Sequence, residues 1–507
     1  MLKKNYKIIS LFLTFSILII ILSGCFGFNG GNVGSTVDSQ KKVKLKMILL
    51  GDRPVIYDKI YSKVNQMLEK DINATVEVDY ISWGDAEKKY PLLFAANEEF
   101  DLVFSANWRR YNQQATKNSY YELTNDMLEK YAPTTYKTVP QVAWEQSKVQ
   151  GKVFMVPNTG VEYSTPIFLI RGDLRKKHNI APLMTIDDFT NYLTVIAEKE
   201  PSIIPFVDMS GKNNVWFTGR KGYLLPSNVV GSFFYDMKDP TGRIFNYVFT
   251  DDYAGDVYKT REFSNKKLWP SDIISNKSTN TMFENGKAAS LTHNLDTASQ
   301  KAEVISAKHP EWEIEMYDLS KERPKIVNSY LNNGMSLNRT TKNPERSLQL
   351  IELFRNDKRY YDLTWYGIEG EHWESVGDKQ YKNLNATLPD KERYNPGCVW
   401  GWKNEDLLRT NINEFPGKSA IFESWKENTI LNPVLGFSFD DAKVKNELAA
   451  ISSVDQQYGG PLFYGMVNEK EIDSSIKTYR EKLKDAGVDK VLVEIQQQVD
   501  AYIKSIK

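Results

Sequence analysis

Bond-breaking chemistry needs nucleophiles, acid–base pairs or metal ligands at fixed spacings, and this chain offers few of them. Four histidines, His178, His293, His309 and His372, occur in 507 residues, and none stands in an HExxH pair or a metal-spaced cluster. No G-x-S-x-G elbow, G-x-x-x-x-G-K-[ST] loop or G-x-G-x-x-G fingerprint is present. Gly286-Lys287 in FENGKAAS lacks the upstream glycine and the hydroxyl residue that a phosphate-binding loop requires. We therefore nominate no catalytic residue, no metal ligand and no cofactor. One cluster keeps an alternative open, an extracellular enzyme acting on polysaccharide: Tyr366 to Glu374 places Glu369, Glu371 and Glu374 beside Trp373 and His372. A glycosidase needs two carboxyl groups roughly 5–9 Å apart. Carboxylates two residues apart in a glycine-containing loop more often meet solvent or backbone N–H groups.

Binding chemistry is better represented. The chain has 28 Tyr, 24 Phe and 11 Trp, 12% of all residues. Trp108, Tyr163, Trp216, Trp365, Tyr366, Trp373, Trp400 and Trp402 mostly neighbour Gly, Asn, Asp or Glu instead of lying in apolar runs. Flat apolar faces beside hydrogen-bonding groups suit a sugar ring, which has apolar CH faces and equatorial hydroxyls. Any single Trp can equally be a packing residue; the set favours a polar, aromatic cleft. Trp365, Tyr366, Glu369, His372, Trp400 and Trp402 are candidate platforms and hydrogen-bonding groups on this ground alone.

The elements that must position such groups read as α/β. Lys44 to Leu50 is a short apolar strand closed by Gly51-Asp52, and Ile56, Ile60, Val64 and Met67 recur at helical spacing. Ala74 to Ile81 alternates as a strand, and Phe100 to Phe104 is a near-continuous apolar run. Strand, helix, strand, helix, strand predicts a parallel sheet with crossover helices. Ligands gather at the carboxyl ends of such strands, where Asp52, Arg53, Ser105 and Trp108 fall. Near the end of the chain Gly487 breaks one helix, Asp489 can cap the next, and Val491, Ile495, Val499, Tyr502 and Ile506 form one apolar stripe.

Composition and address narrow the class. The length implies two to four domains, and 41% hydrophobic with 26% charged residues is an ordinary globular balance. Lys3, Lys4 and Lys7 precede the apolar run Ile8 to Leu22, which is short for a spanning helix but right for an export signal. It ends in Leu22-Ser23-Gly24-Cys25, which looks like a lipoprotein lipobox, with Cys25 as lipid anchor; an uncleaved anchor helix is the other reading. Residues 1–24 are then the signal peptide and 25–40, rich in glycine and small polar residues, a flexible tether. Losing the three leader lysines turns 65 basic residues into 62 against 65 acidic, so nothing points to a nucleic-acid partner. With Cys25 acylated, Cys398 is alone and no intrachain disulfide can form. The expected location is the outer face of the cell membrane, as an anchored monomer.

The segments FDLVFSANW (100–108), GKVFMVPN (151–158), LIRGDL (169–174) and MFENGKAASLTHN (282–294), with the lipobox, resemble an extracellular solute-binding protein of a carbohydrate ABC importer, of the maltose-binding-protein kind. YGIEGEHW (366–373), LNPVLGFSFD (431–440) and EKLKDAGVDKVLVEIQQQVDAY (481–502) resemble the LipO-type lipoproteins, whose C-terminal domain has no assigned function. The resemblance implies a two-lobed periplasmic-binding-protein-like α/β fold (type II) with discontinuous lobes joined by a hinge. It places 41–160 and 328–400 in the N-terminal lobe, and 161–327 and 401–507 in the C-terminal lobe, with 430–507 as the LipO-type extension. Crossings fall near Pro157–Ser164, near Pro324–Asn332 and within 400–430. By the same likeness Ser105, Trp108 and Arg109, Glu162 and Tyr163, and His293, Asn294 and Asp296 face the ligand. Maltose-type binders carry a Trp in that last turn and this sequence does not, so the resemblance does not extend to identical sugar specificity. The implied partners are a carbohydrate, the importer's permease subunits and the membrane. A peptide or other cationic solute, neutralised by Asp52, Glu162 and Asp296, is the remaining alternative.

Overall fold

The structure is a computed structural model that describes residues 41–505, apart from Asn97, Val161, Ser164, 208–215, 227–230, 275–278, 431–433, Leu435 and Ser438. The expected signal peptide and tether, with Cys25, lie outside the described residues, as does Ile506 of the C-terminal stripe.

The first core is built on the sheet that the sequence leads one to expect. Strands run in the order Ala74–Ile81, Val43–Leu50, Leu102–Ser105, Gly334–Leu337, Val156–Pro157. The first three are parallel, with Val43 opposite Ala74 and Met47 opposite Leu102. Gly334–Leu337 enters antiparallel from far along the chain and pairs with both neighbours. Leu45, Met47, Leu49 and Leu50 are all buried, as a strand covered on both faces must be. The crossover helix Tyr57–Ile72 buries Ile60, Tyr61, Val64 and Leu68, and Asn73, left-handed at φ 49, ends it by donating its N–H to the Leu68 carbonyl. The core continues through Leu348, Ile351, Tyr360 and Tyr361 to Val399 and Trp402. One body therefore draws on two distant stretches of chain, and a boundary after residue 400 falls inside the turn Val399–Trp402.

The second body has a three-stranded sheet, Ser290–His293, Ile167–Ile170, Glu315–Tyr317, antiparallel throughout. Its helix Leu295–Lys308 buries Leu295, Ala298, Ala302 and Ile305 against Ile167, Leu291 and Trp425. A neighbouring core joins Phe233, Tyr235, Ile244 and Val248 to Val434, Phe437, Ile451, Val491, Ile495 and Val499. The C-terminal stripe thus packs as expected through Val499. Gly487, at φ 87, separates the helices Ile472–Asp485 and Val488–Ser505.

Segments from three parts of the chain pair with one another here. Tyr163 bridges Val327, and Asn328 donates its N–H to the Glu162 carbonyl at 2.7 Å. Lys325–Ile326 pairs in parallel with Thr429–Ile430. Beneath this junction Lys325 and Asp318, 3% and 1% exposed at the side chain, form an ion pair at 3.2 Å, and Trp425 Nε1 donates to Asp318 at 2.8 Å. No helix among the described residues is long and apolar enough to cross a membrane.

Candidate functional site

At the carboxyl ends of the parallel strands, three indole rings stand partly in solvent. Trp83 follows Ala74–Ile81 and Trp108 follows Leu102–Ser105; Trp400 arrives on the turn Val399–Trp402. Trp83 and Trp400 lie parallel (7°, centroids 6.2 Å apart), and Trp83 and Trp108 are 6.3 Å apart. Trp83 is 45% and Trp108 39% exposed, an expensive display of apolar area unless something covers it. Trp108 is held in place: its Nε1 donates to the Asn332 carbonyl at 2.6 Å, and the Arg109 guanidinium lies 4.8 Å from its ring. Arg109 in turn pairs with Glu87. Ser105 is fully buried, its hydroxyl donating to Tyr120 at 3.3 Å. Asp52 is exposed on the neighbouring loop, whereas Arg53 packs over Tyr57 at 3.6 Å and pairs with Asp58.

The second body and the crossings contribute polar groups. Glu162 accepts from the side-chain amides of Asn158 (3.1 Å), Asn333 (2.9 Å) and Asn332, which ties the first crossing to the second. Tyr163 is buried, its hydroxyl paired with Thr429 Oγ1 at 3.0 Å, so it supports the crossing and offers no free face. Asn294 caps the helix Leu295–Lys308 by accepting from the Thr297 N–H at 2.9 Å. His293 Nδ1 accepts the Asn294 N–H at 2.9 Å, which leaves the ring proton on Nε2. Burial, with Lys301 adding repulsion, pulls the His293 pKa down to about 4.

Asp296 is exposed but sits among charged neighbours. Its side chain is 69% exposed, yet surrounding protein pushes its carboxyl up; Lys418, at 2.9 Å, and Lys403 outweigh that and hold it below the ordinary range. Lys403, 12% exposed, pairs with Glu405 at 2.9 Å. Burial alone would lower the Lys403 ammonium, but Glu405, Glu162 and Asp296 together raise it.

The remaining candidates sit elsewhere. Trp402 is 1% exposed and packs on Phe354, with Nε1 donating to Thr364 Oγ1 at 3.3 Å. Trp365 stacks on Tyr361 at 5.2 Å; Tyr366 packs on Tyr381 and Trp373, its hydroxyl accepting the Arg409 N–H at 2.8 Å. His372 is buried, and Nδ1 accepts the Ile368 N–H at 3.0 Å. Glu369 accepts the Ser375 N–H at 3.3 Å, and Glu371 pairs with Lys59. These groups surround the small sheet Trp373–Val376, Gln380–Asn383, Thr410–Asn411 and are not gathered with the three indoles. Trp216 likewise is buried against Phe206, Phe263 and Trp269.

Trp83 and Lys403 are candidate site residues that the sequence alone does not single out. For Trp83 a signal existed: it lies two residues beyond a strand end, as Trp108 lies three beyond its own. Lys403, Lys418 and Asn332 carried none, because only the chain crossings bring them to this place.

The fold with this arrangement is that of type II solute-binding proteins. The N-glycan transport solute-binding protein NgtS of Streptococcus pneumoniae is similar with a TM-score of 0.75 at 22% identity, covering 92% of this chain and 100% of that one. An HMO-binding, ABC-transporter-associated solute-binding protein from Bifidobacterium longum infantis gives a TM-score of 0.62 at 14% identity, covering 91% of this chain and 99% of that one. In sequence, the chain is 26% identical over 492 residues to a carbohydrate ABC transporter substrate-binding protein of Streptococcus pneumoniae serotype 4 (strain ATCC BAA-334 / TIGR4), covering 94% of each. Residues 433–504 match a domain of unknown function, DUF3502.

Proposed function

We propose that this protein is an extracellular solute-binding protein that captures an oligosaccharide between its two bodies and delivers it to an ABC importer. The observation that carries the reading is the partly exposed Trp83–Trp108–Trp400 cluster at the strand ends. Indole faces stack on sugar CH faces, and the charged and amide groups around them serve the hydroxyls. The similar proteins are substrate-binding proteins and not enzymes. The alternative carboxylates Glu369 and Glu371 are each engaged in separate structural contacts, which favours binding over hydrolysis. The acids proposed for a cationic solute are already occupied in two of three cases, Glu162 by amides and Asp296 by Lys418.

The cores support a division into two lobes with a third crossing after Trp402. Candidate ligand contacts are Trp83, Trp108, Trp400, Asp52, His293, Asn294, Asp296 and Lys403. NgtS has been solved with Man1GlcNAc and Man5GlcNAc, which makes mannose–GlcNAc glycans the first members of a test panel. Thermal unfolding of the purified protein against that panel and against milk, alginate and starch-type oligosaccharides is the test. A ligand at 100 times its Kd adds about 2.7 kcal/mol and raises the Tm without release of reducing ends. No shift with any glycan at millimolar concentration would overturn the sugar reading.

Leu22-Ser23-Gly24-Cys25 supports anchoring through acylated Cys25, the chains gaining about 0.8 kcal/mol per buried methylene. Cys25→Ala is expected to move the protein from the membrane fraction to the medium.

A further inference from the structure

The segment that matches a domain of unknown function carries a hollow lined by none of the residues proposed above for the ligand. One helical run, Lys445–Val454 and Gly460–Phe463, widens in its middle into a π-helical turn at Asp455–Gly459. Such turns are rare and recur at functional sites. This one is pinned by the helix Ile472–Asp485. The Tyr479 hydroxyl donates to Asp455 Oδ1 at 2.6 Å, and a Cβ on Gly459 would stand 2.7 Å from that same hydroxyl oxygen. Glycine is therefore what lets the two helices approach.

The turn contributes Gln457 and Tyr458 to a hollow of about 260 Å³, which Pro461 and, from the facing helix, Ser474, Ser475 and Thr478 help to line. Tyr458 is partly buried and packs on the core that holds Ile451 and Val499. The Ser474 hydroxyl donates to the Glu471 carbonyl at 3.0 Å and the Thr478 hydroxyl to the Ser474 carbonyl at 2.9 Å. Both oxygens keep lone pairs for an incoming donor, and the Gln457 amide can donate and accept. No residue lining this hollow is charged. Half of the 14 residues of Ile472–Asp485 are charged, so the neutrality is local. A second hollow, of about 540 Å³, takes Asp473, Lys477, Arg480, Glu481 and Lys484 from the same helix. The helix thus sorts its charges to one hollow and its hydroxyls to the other.

We propose that the hollow at Asp455–Gly459 is a second carbohydrate site, one that takes a single uncharged sugar ring. A tyrosine and a proline beside hydroxyl and amide groups match the apolar CH faces and the hydroxyls of such a ring. The volume lies below the roughly 300–1,000 Å³ of a drug-sized ligand's pocket, which restricts the occupant to about one ring. The uncharged lining excludes a uronic acid, an amino sugar or a sugar phosphate, whose ionic group would lose water without gaining a counter-ion. The site does not depend on the indole cluster, and it gives the C-terminal segment a ligand of its own.

Hydrogen–deuterium exchange of the purified full-length chain, read by mass spectrometry, tests the site. The probes are N-acetylglucosamine, methyl α-mannoside and glucose at tens of millimolar. At least one is expected to slow exchange in peptides covering 455–461 and 474–478, by up to about tenfold at roughly ten times its Kd. Ser475→Arg puts bulk and charge into the hollow from a partly exposed position, and is expected to abolish the slowing while the unfolding midpoint holds. Tyr458→Ala, which removes the ring, is expected to abolish it as well. No slowing with any of the three sugars overturns the proposal. So does slowing that survives in Ser475→Arg, or equal slowing by glycerol or glucuronate. Peptides carrying Trp83, Trp108 and Trp400 report on the indole cluster separately, so a failure there and a failure here are read at different places in the chain.

Discussion

At the scale of single residues, neighbouring tryptophans of the same type do opposite work. Trp400 and Trp402 are two residues apart on one turn, yet one joins an exposed stack and the other is 1% exposed in the first core. Replacing Trp83, Trp108 or Trp400 by Ala is expected to weaken glycan binding about tenfold each, on the order of 1 kcal/mol of ring stacking, with unfolding midpoints little changed. Trp402→Ala is expected to do the reverse, costing about 3–5 kcal/mol in urea unfolding through the cavity it leaves. His293 makes a pH prediction. With its folded pKa down to about 4, the unfolded chain takes up a proton below about pH 6.5 while the folded protein refuses it. Its contribution is therefore intact above pH 6.5 and declines as pH falls towards 4, at no more than about 1.4 kcal/mol per pH unit. His293→Asn is expected to flatten that part of the stability–pH curve; an unchanged slope would show that the imidazole titrates normally.

At the scale of elements, the crossings carry the structure's most exacting polar chemistry. The Lys325–Asp318 pair lies under the paired strands Lys325–Ile326 and Thr429–Ile430, and Lys325 Nζ also donates to the Ser320 carbonyl at 2.6 Å. Removing one partner leaves the other charge buried, which costs about 3–5 kcal/mol. Lys325→Met is expected to lower stability by that amount in denaturant titration, and Lys325→Met combined with Asp318→Leu to recover much of it. The strands themselves were legible in advance: Ala74–Ile81 forms over the span its alternation predicted, and Lys44 to Leu50 gains only Val43. Two-residue pairings such as Val156–Pro157 were not, because they have no periodicity and exist only through their partners.

At the scale of the whole molecule, the C-terminal segment completes a core that begins two hundred residues earlier. Val434, Phe437, Ile451, Ile495 and Val499 share one apolar cluster with Phe233, Tyr235, Ile244 and Val248. Arg480 Nε donates to the Val248 carbonyl at 2.7 Å, and the Gln496 side chain accepts the Ile244 N–H at 2.7 Å. Truncation after residue 430 is expected to give insoluble or unfolded protein, and residues 433–504 alone to show little cooperative unfolding by circular dichroism. A soluble, cooperative fragment would make the segment an independent domain.

The sequence by itself determined the α/β class, the first three parallel strands and the C-terminal stripe, because apolar periodicity is local and its burial follows directly. It also determined that binding, not bond-breaking, was the chemistry to look for, since reactive motifs were missing and aromatics were in excess. Only the tertiary structure decided which aromatics meet. Trp83, Trp108 and Trp400 come from three separate segments, and their exposure depends on what packs behind each ring. The same holds for Lys403 and Asp296, more than a hundred residues apart, whose charges influence one another through the packing of the chain. Proximity of that kind is set by the packing of whole cores, and no local spacing encodes it.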